Sequence, residues 1–226
     1  MVGMVTKPQR AERRTDALSK ERIVEAAIGI LDADGENALT FRALAARLVT
    51  GSGAIYWHVA DKNDLLAAAA DTVIARVMAE VVGDTEPQEA IRGIAVGVFD
   101  AIDARPWVGT QLAREPWQAA MLRIWEGIGG QLGALGVAED ARFNSSSALV
   151  SSILGLAAQY AAVMQLAPRE RDRSAFLETI ASRWAQCDPV QYPFVHQIAQ
   201  QLPEHDDREQ FLAGIEILLA GIETLY

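Results

Sequence analysis

From Ser19 onward the apolar residues recur at spacings of three and four in almost every segment. No run alternates apolar with polar residues between turn signals. A repeat near 3.6 residues builds helices with one buried face, whereas a half-buried strand needs a period of two. The chain is therefore expected to be all-α. Its 226 residues, half of them hydrophobic, are enough for one large domain or two small ones with a real core.

The helix starts carry local signals. Ser19 is placed to cap a first helix with Ile23, Ala26, Ala27, Ile30 and Leu31 on one face, ending near Asp34-Gly35. Thr40 caps a short second helix, Phe41 to Leu48, with Leu44, Ala45 and Leu48 inward. The turn Val49-Thr50-Gly51 leads to a third, Ser52 to His58. Asp61 then caps a long helix with Leu65, Leu66, Ala69, Val73, Val77 and Val81 in one stripe. Beyond Gly83-Asp84, the run Thr85-Glu86-Pro87-Gln88 combines capping-box spacing with proline at the first helical position, and reads as a domain boundary. Further helices are expected at 87–104, 107–113, 116–135, 140–166, 174–186, 192–201 and 206–225.

The net charge of −10 argues against a polyanionic partner only until it is divided. Residues 1–66 hold 9 Lys/Arg and 9 Asp/Glu, leaving 11 basic against 21 acidic residues beyond them. All three lysines, Lys7, Lys20 and Lys62, lie in that neutral first segment. Residues 1–18 are polar and basic with no apolar run behind them, which reads as a flexible arm rather than a secretory signal. The single Cys187 forms no internal disulfide, and no Cys/His cluster has zinc spacing, so a cytoplasmic setting without metal or cofactor is expected. The uncharged stretch Phe143 to Pro168 is long enough to span a bilayer, but its serines and glutamines favour a helix buried in protein, with no membrane partner.

A short helix, a tight turn and a second short helix that begins with small residues and ends in aromatics form a helix-turn-helix pattern. Ser52, Gly53 and Ala54 let backbone approach DNA closely, with helix N–H groups toward a phosphate. Tyr56, Trp57 and His58 suit phosphate, sugar and thymine methyl contacts, and Lys62 adds charge. Arg42 can hold a guanine edge with two parallel hydrogen bonds.

On these residues, Thr40-Phe41-Arg42-Ala43-Leu44-Ala45 and Ile55-Tyr56-Trp57-His58-Val59-Ala60-Asp61-Lys62-Asn63-Asp64-Leu65-Leu66, the segment from Ser19 to Leu66 resembles the DNA-binding domain of TetR-family transcriptional regulators. The Tyr-Trp-His-Val run is most similar to the tetracycline-repressor branch. The resemblance covers about a fifth of the chain. It implies a homodimer on a palindromic operator in double-stranded DNA, with a larger C-terminal helical domain for ligand binding and dimerisation. The expected layout is an arm at 1–18, a three-helix DNA-binding domain at 19–66, a connecting helix at 67–84 and the ligand domain at 85–226. DNA contacts would fall on Thr40, Arg42, Ser52, Gly53, Ala54, Tyr56, Trp57, His58 and Lys62. Where family members often carry glycine after the second helix, this chain has Val49, which predicts a differently shaped turn. Trp57 either props the third helix or touches DNA. His58 is a DNA contact or a surface histidine, and Lys7, Arg10, Arg13 and Arg14 are a solvated tail or a groove-following arm.

In the rest of the chain, Trp117, Met121, Trp125, Ile128, Leu132 and Leu135 make one apolar helix face. With Trp107, Gln111, Gln118, Gln159, Tyr160 and Met164 they are expected to form a cavity for a small hydrophobic effector, uncharged or cationic. Ordinary core packing is the other reading of each residue. Only His196 and His205 lie in this part, off the proposed lining, so an imidazole-anchored magnesium site has no ligand. Phe211, Ile215, Leu218, Ile222 and Leu225, with Gly214 and Gly221, are expected to face a second subunit, as is helix 140–166. Among rivals, Asp206-Asp207-Arg208-Glu209 resembles a metal-binding acidic motif of a helical enzyme, but its place before an amphipathic helix fits a cap. No nucleophile, base and orienting group can be assembled, so the chain is not read as an enzyme. An adaptor whose helix-turn-helix binds only protein is the remaining alternative.

Overall fold

The helix starts are fixed by side chains that satisfy the backbone donors a helix leaves open. In the computed structural model, which describes residues 18–81, 85–166 and 170–225 and only the backbone within 160–173, Ser19 Oγ accepts from Arg22 N at 3.3 Å and opens α1, Lys20–Asp34. Thr40 Oγ1 accepts from Ala43 N at 3.1 Å and opens α2, Phe41–Leu48. After α3, Ser52–Tyr56, the side chain of Asp61 accepts from Asp64 N at 2.9 Å while that of Asp64 accepts from Ala60 N at 3.1 Å, opening α4, Lys62–Glu80. The basic arm at residues 1–17 lies outside the described residues.

The described residues fall into two compact units that divide between Thr72 and Val73, inside α4. The first unit packs α1 on α2 and α2 on α3 around Ile23, Leu39, Leu44, Ile55, Leu65 and Leu66, all essentially inaccessible. Each fully buried side chain of this kind contributes about 1.5–3 kcal/mol, which is how so small a unit holds its shape.

The second unit contains α5, Pro87–Ala104; α6, Pro106–Arg114; α7, Ala119–Ala134; α8, Glu139–Leu166; α9, Glu170–Ala185; α10, Pro193–Ile198; and α11, Asp207–Leu225. Among the described residues there is no strand. The α8 helix packs against α5, α6, α7 and α11. Its buried residues, Ser145, Ser146, Leu149, Val150, Ile153 and Ala157, share one half of the helix circumference, while Ala148, Ser151, Gly155 and Ala158 on the other half are exposed. Among the described residues no helix is long and apolar enough to cross a membrane.

Several local expectations change. Proline does stand at the start of α5, but Glu86 is its cap and makes no side-chain cap bond, so the Thr85 capping box is not used. The α3 helix ends at Tyr56, with Trp57 as C-cap and a turn from His58 N to Ile55 O at 2.9 Å. The α7 helix begins only at Ala119, which leaves Trp117 outside it. On α11, Phe211, Ile215, Leu219 and Ile222 are buried inside the unit, with the Phe211 ring stacked on Phe99 at 4.6 Å. Most of the stripe expected to meet a partner thus serves the subunit's own core, while Ile217 and Leu225 are exposed. Two ion pairs hold α11 to α5: Arg92 with Glu216, whose Nη2–Oε2 distance is 2.8 Å, and Arg208 with Asp100 at 3.1 Å.

Candidate functional site

The exposed surface of α2 and α3 is polar and aromatic where a buried helix pair would be aliphatic. Thr40 and Arg42 are exposed on α2, and Ser52 and Gly53 are exposed at the start of α3. Gly51 is the N-cap of α3 without a side-chain cap bond. Ala54 N donates to Gly51 O at 3.0 Å, and the N–H groups of Ser52 and Gly53 receive no side-chain cap. Ala54 is half-buried and Ile55 fully buried, so one side of α3 anchors the helix and the other faces outward.

The aromatic run divides by role. Tyr56 is stacked face to face on Phe41, centroids 4.3 Å apart with planes at 9°, yet still more than half exposed. Its ring joins α3 to α2, and the residue that receives it, Phe41, carried no functional signal in the sequence beyond apolar character. Trp57 is 90% exposed. It does not prop the helix. His58 is half-buried. The Glu21 carboxyl on α1 is held below its ordinary range by hydrogen bonds to backbone and to Ser19, and the charge of His58 acts in the same direction. Lys62 is half-buried and donates from Nζ to the Glu36 carbonyl at 2.7 Å, which leaves two of its three donors for other partners.

The turn before α3 has unusual backbone. Val49 N donates to Ala46 O at 3.3 Å and Thr50 N to Ala45 O at 2.9 Å, a Schellman closure of α2. It requires a left-handed residue, and that residue is Val49, at φ 52° and ψ 48°. Among the described residues it is the one non-glycine with positive φ.

In the second unit the expected effector residues separate. Gln111 and Met121 are buried and Trp107 is half-buried. Trp117 is 87% exposed, because Pro116 and the following turn hold it outside α7. Trp125 is half-buried, stacks on exposed Phe143 with centroids 6.0 Å apart, and lines a surface groove with Met78, Leu122, Arg123, Glu126 and Gly127. The single aromatic face expected from 117 to 135 is therefore an inner row, Met121, Ile124, Ile128 and Leu132, and an outer tryptophan group. The side chains of Tyr160 and Met164 lie outside the described residues. Gln118, which the spacing added only as a polar neighbour, is buried and donates from Nε2 to the Gln111 carbonyl at 2.9 Å.

The acidic motif at 206–209 is occupied by structure. Asp206 Oδ1 accepts from Glu209 N at 2.8 Å as a helix cap, Asp207 lies 2.8 Å from His205 Nε2, and Arg208 binds Asp100. Among the described residues no group of three His, Cys, Asp or Glu is arranged to hold a metal.

Residues 23–69 match the family described as bacterial regulatory proteins, tetR family. A TetR transcriptional regulator of Streptomyces coelicolor is 48% identical, covering 92% of this chain and 99% of its own, with a TM-score of 0.84. The chain belongs to the TetR family of DNA-binding transcriptional regulators.

An HTH-type transcriptional regulator of Saccharopolyspora erythraea is 30% identical over 110 residues, 49% of this chain and 47% of that protein. The chain thus spans about half the length of this curated relative. ActR of S. coelicolor, solved in complex with actinorhodin, is 23% identical with a TM-score of 0.75, covering 92% of this chain and 98% of its own, and shares the fold. Within this TetR chain the match at 23–69 contains α2, the Val49 turn and α3. The expected glycine after α2 is absent, yet the turn still closes on hydrogen bonds that a glycine would make without strain.

Proposed function

We propose that the protein binds a palindromic operator as a homodimer, most simply as a repressor in the cytoplasm, and leaves it when a small, largely apolar effector occupies the second unit. The observation that carries this reading is the outward face of α2 and α3: exposed Arg42 and Trp57 beside a small-residue helix start. Arg42 would read a guanine edge, the N-terminus of α3 would meet phosphate, and Tyr56, Trp57, His58 and Lys62 would flank the groove. Thr40, Ser52, Gly53 and Ala54 would permit close approach. The match of the first unit to the family supports this assignment.

For the dimer, the small exposed residues Ser151, Gly155 and Ala158 of α8, and half-buried Gly221 with exposed Ile217 and Leu225 of α11, offer surfaces that permit close helix approach. For the effector, the interior around Gln111 and Met121, with Trp107 half-buried nearby in sequence, is the candidate site. The complex of ActR with actinorhodin supports the expectation that this fold accommodates a small molecule.

The test is selection of genomic fragments by wild type, Arg42→Ala and Trp57→Ala. Wild type is expected to recover a palindrome. Arg42→Ala should relax one base position, at about 1–3 kcal/mol of discrimination. Trp57→Ala should weaken binding without lowering the melting temperature, since its ring buries almost nothing. Affinity that does not fall with salt would turn the reading toward a protein-binding adaptor.

A further inference from the structure

The second unit keeps two amides out of water without giving them partners. Gln111 is 2% exposed and Gln118 9%. Neither Oε1 nor Nε2 of Gln111 has a hydrogen-bond partner, and Gln118 Oε1 has none. More than nine in ten buried polar groups in folded proteins are partnered, because an unpaired one forfeits its bonds to water. Three such atoms on neighbouring side chains of one unit mark a place where a partner is missing.

Their orientations differ in what they fix. Gln118 Nε2 donates to the Gln111 main-chain carbonyl at 2.9 Å. A carbonyl only accepts, so the amide nitrogen must be on that side and Gln118 Oε1 is a fixed acceptor. Nothing fixes the Gln111 amide, which can present its donor and its acceptor together. Charge narrows the class further. Among the described residues every buried polar side chain is neutral: Gln111, Gln118, Ser145 and Ser146. A charged group brought there would find no buried counter-charge among the described residues and would be costly to bury.

We propose that Gln111 and Gln118 form the polar end of the effector site, and that the effector is an uncharged molecule with an apolar body and a carboxamide, lactam or imide edge. The ligand N–H and C=O pair with Gln111, and where the edge is a primary carboxamide its second N–H reaches Gln118 Oε1. This rests on the reading of the second unit as an effector site and narrows its uncharged-or-cationic class to uncharged.

The probes are phenanthridinone, a flat lactam with a free N–H, and its N-methyl derivative, each titrated calorimetrically into wild type and Gln111→Met. Wild type is expected to bind the free lactam at least about tenfold more tightly, and Gln111→Met to bind both alike. Without ligand, Gln111→Met should melt about 2–4 °C higher, because an unpaired amide has been replaced by a thioether of similar length. A lower melting temperature would show the amide already satisfied, as by buried water, and would overturn the proposal. Equal binding of both probes by wild type, a comparison that needs no variant, would also overturn it and leave the apolar effector site standing. Binding of neither would overturn that site reading, and the proposal with it.

Discussion

Val49 holds strain that its side chain does nothing to offset, so glycine at this position is expected to stabilise the protein. At φ 52° and ψ 48°, the Cβ of an L-residue crowds its own backbone at about 1–2 kcal/mol. Branching at Cβ limits the rotamers that relieve it. Glycine removes the crowding but adds freedom to the unfolded chain, worth roughly 0.4–1 kcal/mol in the other direction. The valine is 92% exposed, so its removal uncovers no apolar contact. The balance is a gain of about 1 kcal/mol for Val49→Gly, or about 2–4 °C in melting temperature for a chain of this length. Val49→Ala, which keeps Cβ and loses the branch, should recover less than half of that. Thermal and urea unfolding of the three proteins side by side make the comparison. If Val49→Gly melts below wild type while Val49→Ala does not, the strain argument is wrong.

Gly97→Ala should destabilise the second unit by about 1 kcal/mol net of its helix-propensity gain, because the new Cβ would stand 2.5 Å from Cγ1 of Val77, a side chain too stiff to yield. Gly130→Ala, with nothing within 4 Å of its added Cβ, should stabilise by roughly 0.5–1 kcal/mol; urea midpoints in the opposite order would refute the packing argument. Hydrogen bonding from Arg92 holds the Glu216 carboxyl below the ordinary value of 4.5. Because that pKa is lower in the folded chain than in the unfolded one, the pair stabilises fully above about 4.5 and its contribution disappears as pH falls below it. Glu216→Gln should therefore be less stable than wild type by about 0.5–1 kcal/mol near neutrality, given that the pair is partly exposed, and the gap should close toward pH 3; a gap unchanged at pH 3 in urea titrations counts against the pair.

Helix starts were legible because capping is a local affair between residues three apart, as Ser19, Thr40 and Asp61 show. The helix-turn-helix face was legible because a run such as Tyr56-Trp57-His58 has no plausible home in an aliphatic core. What the sequence hid depends on contacts between distant elements. The α11 helix is apolar on more than one side, and packing against α5 and α8, rather than heptad spacing, decides that Leu219 goes in while Ile217 and Leu225 stay out. Trp117 has the spacing of a core residue, but α7 starts two residues later. Gln118 stands at the N-cap of α7 and makes no side-chain bond to that helix, reaching instead to a carbonyl seven residues back. No periodicity encodes that choice.

The bond from Lys62 to the Glu36 carbonyl gives the first unit a chemical gauge of its own integrity. An ammonium held at 2.7 Å by a main-chain oxygen acylates only after it lets go. Lys20, paired with Asp64 at 3.6 Å and about half exposed, serves as an internal reference on the same unit. Since the chain has no lysine beyond position 62, amine-reactive reagents modify side chains of this unit alone. The ratio of label at Lys62 to label at Lys20, read by mass spectrometry, reports opening of the turn at Glu36–Ala38 with no background from the other two-thirds of the protein.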